Sequence, residues 1–180
     1  MCAACRWIGK GTSTWGSFGS DGEALFFGSN ENYEIHKIGL DGTPILSFSI
    51  SDREKKTISS ANKRKQFDRI ISGIDNLPED IVTEMVSQIP DQSPFFYRNF
   101  LDDAGRIYVL LIDFNDPGRQ AVDIFSPRGE YLYRGYFDLS EDFEWILTPA
   151  ISFSRGELFV FAEDEDGERR LAKYKISLPD

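Results

Sequence analysis

The chain has 180 residues, a net charge of −10, 15 phenylalanines and 7 tyrosines. That length suits one ordinary domain or part of a larger one, and the acidic balance repels a phosphate backbone, which argues against a nucleic-acid partner. The aromatic excess, with 15 glycines and 8 prolines, points to strands and turns, and no apolar run of about 18 residues predicts a membrane span.

Residues 1–11 show no strand pattern and are expected to be unstructured. Cys2 and Cys5 form a C-x-x-C pair at the extreme N-terminus. With no second pair and no surrounding βαβ pattern, free thiols are expected there. Gly9, Lys10, Gly11 and Thr12 lack the spacing of a phosphate-binding loop. The first residues carry no apolar h-region, so the chain as written is expected in the cytoplasm.

From about residue 12 to 50 the pattern is strand, glycine turn, strand, turn, strand, glycine turn, strand. Residues 15–18 lead into Asp21 and Gly22; 23–27 (EALFF), 33–38 (YEIHKI) and 44–50 (PILSFSI) follow, with Asp41 and Gly42 before the last. Residues from about 53 to 90 change character. Phe67, Ile70, Ile71 and Ile74 recur at helical spacing. Leu77, Pro78, Glu79 and Asp80 read as a helix start, with acids at the positive end of the dipole. Ile81, Val82, Met85, Val86 and Ile89 form a second apolar stripe, which Pro90 ends. The lysines and arginine at 55–56 and 63–65 are placed in a solvated loop and helix start.

The strand pattern then returns over about 95–138: FFYRNFL at 95–101, GRIYVLLID at 105–113, AVDIF at 121–125 with a polar residue at its centre, and YLYRGYF at 131–137. A third copy spans about 148–178, with AISF at 150–153, ELFVF at 157–161 and LAKYKI at 171–176, and lacks a fourth strand. The anchor glycines Gly22, Gly105 and Gly156 are 83 and 51 residues apart. A helical insert in the first interval explains the excess of 32. The fold class is therefore all-β with a helical insert, built from about three four-stranded antiparallel units, the third incomplete.

Four-stranded units at this repeat length are the blades of a β-propeller. Residues 105–109 (GRIYV) with 122–132 (VDIFSPRGEYL) resemble an NHL-type blade; residues 22–26 with 37–42, and 156–160, are degenerate versions. The whole chain, from about 12 to 178, resembles the C-terminal half of bacterial six-bladed β-propeller proteins. The resemblance implies a partial propeller and an exported or cell-envelope parent protein. Three blades do not close a ring. The chain is then a fragment of a longer propeller, half of a homodimer completing a six-bladed ring, or an open arc.

No catalytic, cofactor-binding or metal residue is assigned. His36 is the only histidine and lies on a strand face, where it is expected to be structural or solvated. Glu163 to Gly167 form an acidic run read as a hairpin turn, with only Asp164, Asp166 and Gly167 matching part of a calcium loop. Asp102 and Asp103 fall in a turn, and Glu141, Asp142 and Glu144 in a loop before Trp145, so no pair of acids is placed for glycoside hydrolysis. Phe95, Phe96, Tyr97 and Phe100 either line a ligand channel or fill the space between neighbouring units. The leading expectation is a non-enzymatic scaffold or binding module for a protein or small molecule. The alternative is part of a propeller hydrolase or lyase whose site other blades complete.

Overall fold

The computed structural model describes residues 16–20, 22–71, 77–112, 119–138, 143–144, 151–154, 156–164 and 168–175. Cys2, Cys5, Ile74, Glu141, Asp142, Trp145 and residues 165–167 lie outside them.

Among the described residues the protein is mostly β, with two helices and open antiparallel sheets. The first sheet is a meander of β1 (Gly16–Ser20), β2 (Ala24–Ser29), β3 (Glu34–Gly39) and β4 (Pro44–Ser49). Two helices follow, α1 (Ser60–Ile70) and α2 (Glu79–Ser87). The middle sheet is a second meander of β5 (Phe96–Leu101), β6 (Ile107–Leu111), β7 (Arg119–Phe125) and β8 (Tyr131–Asp138). The third contains β9 (Phe143–Glu144), β10 (Ile151–Ser154), β11 (Glu157–Asp164) and β12 (Arg169–Lys175). In it β12 takes one edge of β11, while β10 and the two residues of β9 share the other. Among the described residues four strands join the third sheet, but it is only three strands across.

Gly22, Gly105 and Gly156 all adopt left-handed backbone, at φ +89°, +74° and +77°. A side chain with a Cβ is disfavoured there, so the same residue recurs at each first turn for the same steric reason. Gly42 and Gly129 repeat this at the β3–β4 and β7–β8 turns, with φ +84° and +80°.

The sheets stack face to face. Phe26, Tyr33 and Ile35 of the first sheet pack on Phe96, Ile107, Val109 and Phe125 of the middle one. The opposite face of the middle sheet, with Phe100, Tyr108, Leu110, Val122 and Ile124, packs on Leu158 and Val160 of the third. Strand β6 is therefore buried on both sides, which explains its unbroken apolar run. The aromatics of β5 fill these two interfaces: Phe96 on one face, Phe100 on the other. Strand β5 also lies beside both β1 and β10, so one edge strand of each sheet meets an edge strand of the next.

The helical insert is closed at its stem. Thr57 pairs with Gln92 in an antiparallel bridge, and the backbone N–H groups of Ile58 and Ser93 donate to Asp91 and Lys56 carbonyls at 2.8 and 2.9 Å. The chain leaves and returns at one point, which is why the insert leaves the strand order intact. Ser59 caps α1, its hydroxyl accepting from the Asn62 N–H at 3.2 Å. Phe67 and Val82 are the buried contacts of the helices. Ile81 departs from the expected stripe and is 42% exposed. Lys63 departs in the other direction: it is 9% exposed, and its ammonium donates to the Ile89 carbonyl at 2.7 Å and to Asp91 at 2.6 Å. It fastens α1 to the chain after α2 instead of facing solvent. No described helix is long and apolar enough to cross a membrane.

Candidate functional site

The polar residue at the centre of 121–125 is Asp123, and it is fully buried. It lies opposite Val109 on β6 and Arg134 on β8, so it faces the first sheet. A buried carboxylate is tolerated only when paired and hydrogen-bonded. Asp123 meets that demand with donors from three separate parts of the chain. Arg134 donates through Nε at 2.8 Å and Nη2 at 3.0 Å, a bidentate pair. The Tyr33 hydroxyl donates at 2.6 Å. Arg53, at the root of the helical insert, donates through Nη2 at 3.3 Å.

Each donor is held by packing. Tyr33 closes the β2–β3 turn at φ +48°, a left-handed conformation rare for a bulky side chain. Its ring sits edge-on to Phe95 and Phe96, with centroids 5.7 and 5.5 Å away. The Arg53 guanidinium lies over the Tyr131 ring at 5.8 Å. Burial raises the Tyr33 pKa above its ordinary value, and the charge and hydrogen bond of Asp123 raise it further. Burial opposes the Arg134 cation, but the hydrogen bond and charge of Asp123 outweigh it and hold the pKa up.

Above this layer opens a cleft of about 540 Å³. Strand order puts it at the end of the sheets where the β2–β3 turn and the β4–β5 connection meet. Arg53, Lys55, Lys56, Arg134, Phe95 and Tyr136 line it, with Asp52 and Glu54 as opposing charges. Lys55 stands 3.9 Å from Glu31 and 5.8 Å from the Phe95 ring centre. The volume is in the range of small-molecule sites. The donor set suits an anion, not a metal. Among the described residues no three His, Cys, Asp or Glu side chains come together to hold a cation.

The residues weighed from sequence fall elsewhere. His36 is partly exposed on the outer face of the first sheet, stacked on Phe27 at 4.9 Å and 3.4 Å from Glu34. It is far in sequence and face from Asp123, since Ile35 and not His36 points to the middle sheet. Asp102 is a turn lock: it accepts from the Ala104 and Arg106 N–H groups, both at 2.9 Å, from Arg106 Nε at 2.5 Å and from the Tyr108 hydroxyl at 3.1 Å. Asp103 is exposed in the same turn. Glu163 and Asp164 belong to β11 and not to a turn, because β11 stays paired through both. Glu144 lies in β9, paired with Glu163.

No family model matches the chain, and no curated protein matches it. Among solved structures it is similar to a streptogramin B lyase, with TM-score 0.36 and 10% identity over 94% of this chain and 43% of that one. It is similar to a catalytically inactive virginiamycin B lyase from Staphylococcus aureus with quinupristin, with TM-score 0.35 and 11% identity over 93% of this chain and 44% of that one. It is also similar to apo prolyl oligopeptidase B from Galerina marginata, with TM-score 0.32 and 11% identity over 96% of this chain and 26% of that one. The chain spans less than half the length of each.

Proposed function

We propose that the chain is a run of three β-propeller blades serving as a non-enzymatic scaffold or binding module within a larger ring. The observation that carries this is the placement of β1, β5 and β10 side by side while their sheets stack face to face. Sheets that meet along one line of edge strands turn about that line, and further sheets continue the turn.

The two end faces support the same reading. On the middle sheet, Ile107, Tyr108, Val109 and Leu110 are fully buried. On the outward face of the first sheet Leu25 is 39% and Ile45 56% exposed, and on that of the third Phe161 is 44% and Leu171 59% exposed. Apolar side chains at these positions are accounted for by a neighbour of the kind the middle sheet has on both sides. Further blades of a longer protein supply it, or a second copy of this chain does.

Light scattering on the purified chain, with Ile45→Lys and Leu171→Lys variants, tests this. Self-association is expected, and either substitution lowers it. A monodisperse monomer whose mass, solubility and dye binding ignore both substitutions would sink the reading.

A further inference from the structure

The buried layer beneath the cleft holds two guanidiniums against one carboxylate. Asp123 engages only one nitrogen of Arg53 and two of Arg134. Among the described residues, Nε and Nη1 of Arg53 and Nη1 of Arg134 carry no hydrogen bond. Both side chains line the cleft and keep 27% and 28% of their surface exposed. Their geometry is fixed in advance, Arg53 by Tyr131 and Arg134 by its bidentate pair, so little ordering is needed to engage a ligand. Phe95, Leu111, Ile112 and Tyr136 add apolar and aromatic wall.

From this we propose that the cleft binds a small organic anion, with a carboxylate or phosphate group on Arg53 and Arg134 and a planar apolar body against Phe95 and Tyr136. The overall charge of −10 does not forbid it. Distant charges are screened over about 8–10 Å at ordinary salt, so the local pair of arginines dominates. The carboxylates of Asp52 and Glu54 on the rim favour a singly charged ligand over a polyanion. The inference rests on the binding-module reading but not on the ring, since every residue named lies between 33 and 136.

The test is an NMR titration of the full chain with benzoate, phenyl phosphate and the neutral control benzyl alcohol. Saturable shifts clustered at residues 53–56, 95 and 134–136 are expected with at least one anion, and not with benzyl alcohol. Comparing the two anions separates a carboxylate site from a phosphate site. Arg53→Gln is expected to weaken binding about tenfold or more. Lys55→Gln, which leaves the Asp123 pairs untouched, is expected to weaken it by a smaller factor and keeps the test valid if Arg53→Gln unfolds. Equal binding of benzyl alcohol, no saturation by about 10 mM of either anion, or full affinity in both variants would overturn the proposal. The end-face substitutions Ile45→Lys and Leu171→Lys leave the titration unchanged, so failure of the ring and failure of this site are told apart.

Discussion

Replacing Asp123 with alanine removes the one anion that three donors share. The Tyr33 hydroxyl, in a side chain 1% exposed, is left with no acceptor, a loss of about 1–3 kcal/mol. Arg53 and Arg134 are left facing each other without a counter-charge. Breaking a buried pair from one side costs about 3–5 kcal/mol when the partner is buried. Here both guanidiniums are more than a quarter exposed and rehydrate, so the ion-pair part belongs at the low end of that range. The combined expectation is about 4–6 kcal/mol. For a chain of this size that lowers Tm by about 8–24 °C. Asp123→Asn keeps the shape and one acceptor and falls between the two. Urea unfolding followed by tryptophan fluorescence and by circular dichroism measures the change. A double-mutant cycle with Tyr33→Phe isolates the hydroxyl–carboxylate bond, whose coupling is expected at about 1–2 kcal/mol. A loss under about 1 kcal/mol for Asp123→Ala, or zero coupling in the cycle, would refute the view that this carboxylate ties the first sheet and the insert root to the middle sheet.

Other expectations follow from the same structure. The Tyr33 pKa is raised in the folded state by burial and by Asp123, so the folded protein holds that proton more tightly than the unfolded chain. Its contribution is whole below the unfolded value near pH 10 and falls by about 1.4 kcal/mol per pH unit above it. Tyr33→Phe therefore flattens the alkaline limb of a stability–pH curve, leaving the smaller slope from Tyr108 and Tyr174, which burial also raises. A Cβ at Gly28 would stand 2.7 Å from both Ile35 and Phe96, so Gly28→Val destabilises by about 1–3 kcal/mol in chemical denaturation. Replacing residues 58–91 with a two-residue Asn-Gly link across the Thr57–Gln92 bridge removes the helical circular-dichroism signal, and the sheets still unfold in a single transition.

Much of this fold is legible in the sequence because its signals are local. A glycine at a first turn, a five-residue strand and a change of period from two to helical spacing each depend on neighbours in the chain. Residues 58–91, the segment the stem bridge encloses, account for the 32-residue excess between anchor glycines to within two residues. The site was not legible for the opposite reason. Tyr33, Arg53, Asp123 and Arg134 are scattered over a hundred residues and meet only when two sheets and the insert root pack together. One local signal does mark it: an aspartate in the middle of AVDIF, where alternation gives it a buried face. An acid in that position demands partners, although the sequence does not say which. Lys63 shows the same limit, since a basic run looks solvated until a carbonyl and a carboxylate are found above it.

The repeat itself hides a change that sequence alignment by glycine misses. Phe26 faces the next sheet and stands four residues after Gly22. Its equivalent by face in the middle sheet is Tyr108, three residues after Gly105. The third sheet keeps the spacing of the second: Phe159, three residues after Gly156, lies on the strand face opposite Leu158 and Val160, which pack on the middle sheet. Setting the glycines level therefore matches Phe26 with Val109, which points the other way. Because side chains alternate along a strand, a one-residue slip exchanges the two faces of the whole strand. The first turn absorbs the difference: Ser20 pairs with Leu25 across it, Leu101 with Ile107 across the second, and Ser154 with Glu157 across the third. What repeats in this chain is the order of buried faces, and the turns are free to vary in length so long as that order is kept. A single residue inserted between Gly105 and Ile107 is therefore tolerated if the turn takes it up, while the same insertion between Tyr108 and Leu110 turns Leu110 away from the third sheet and leaves Ile107 and Tyr108 in place.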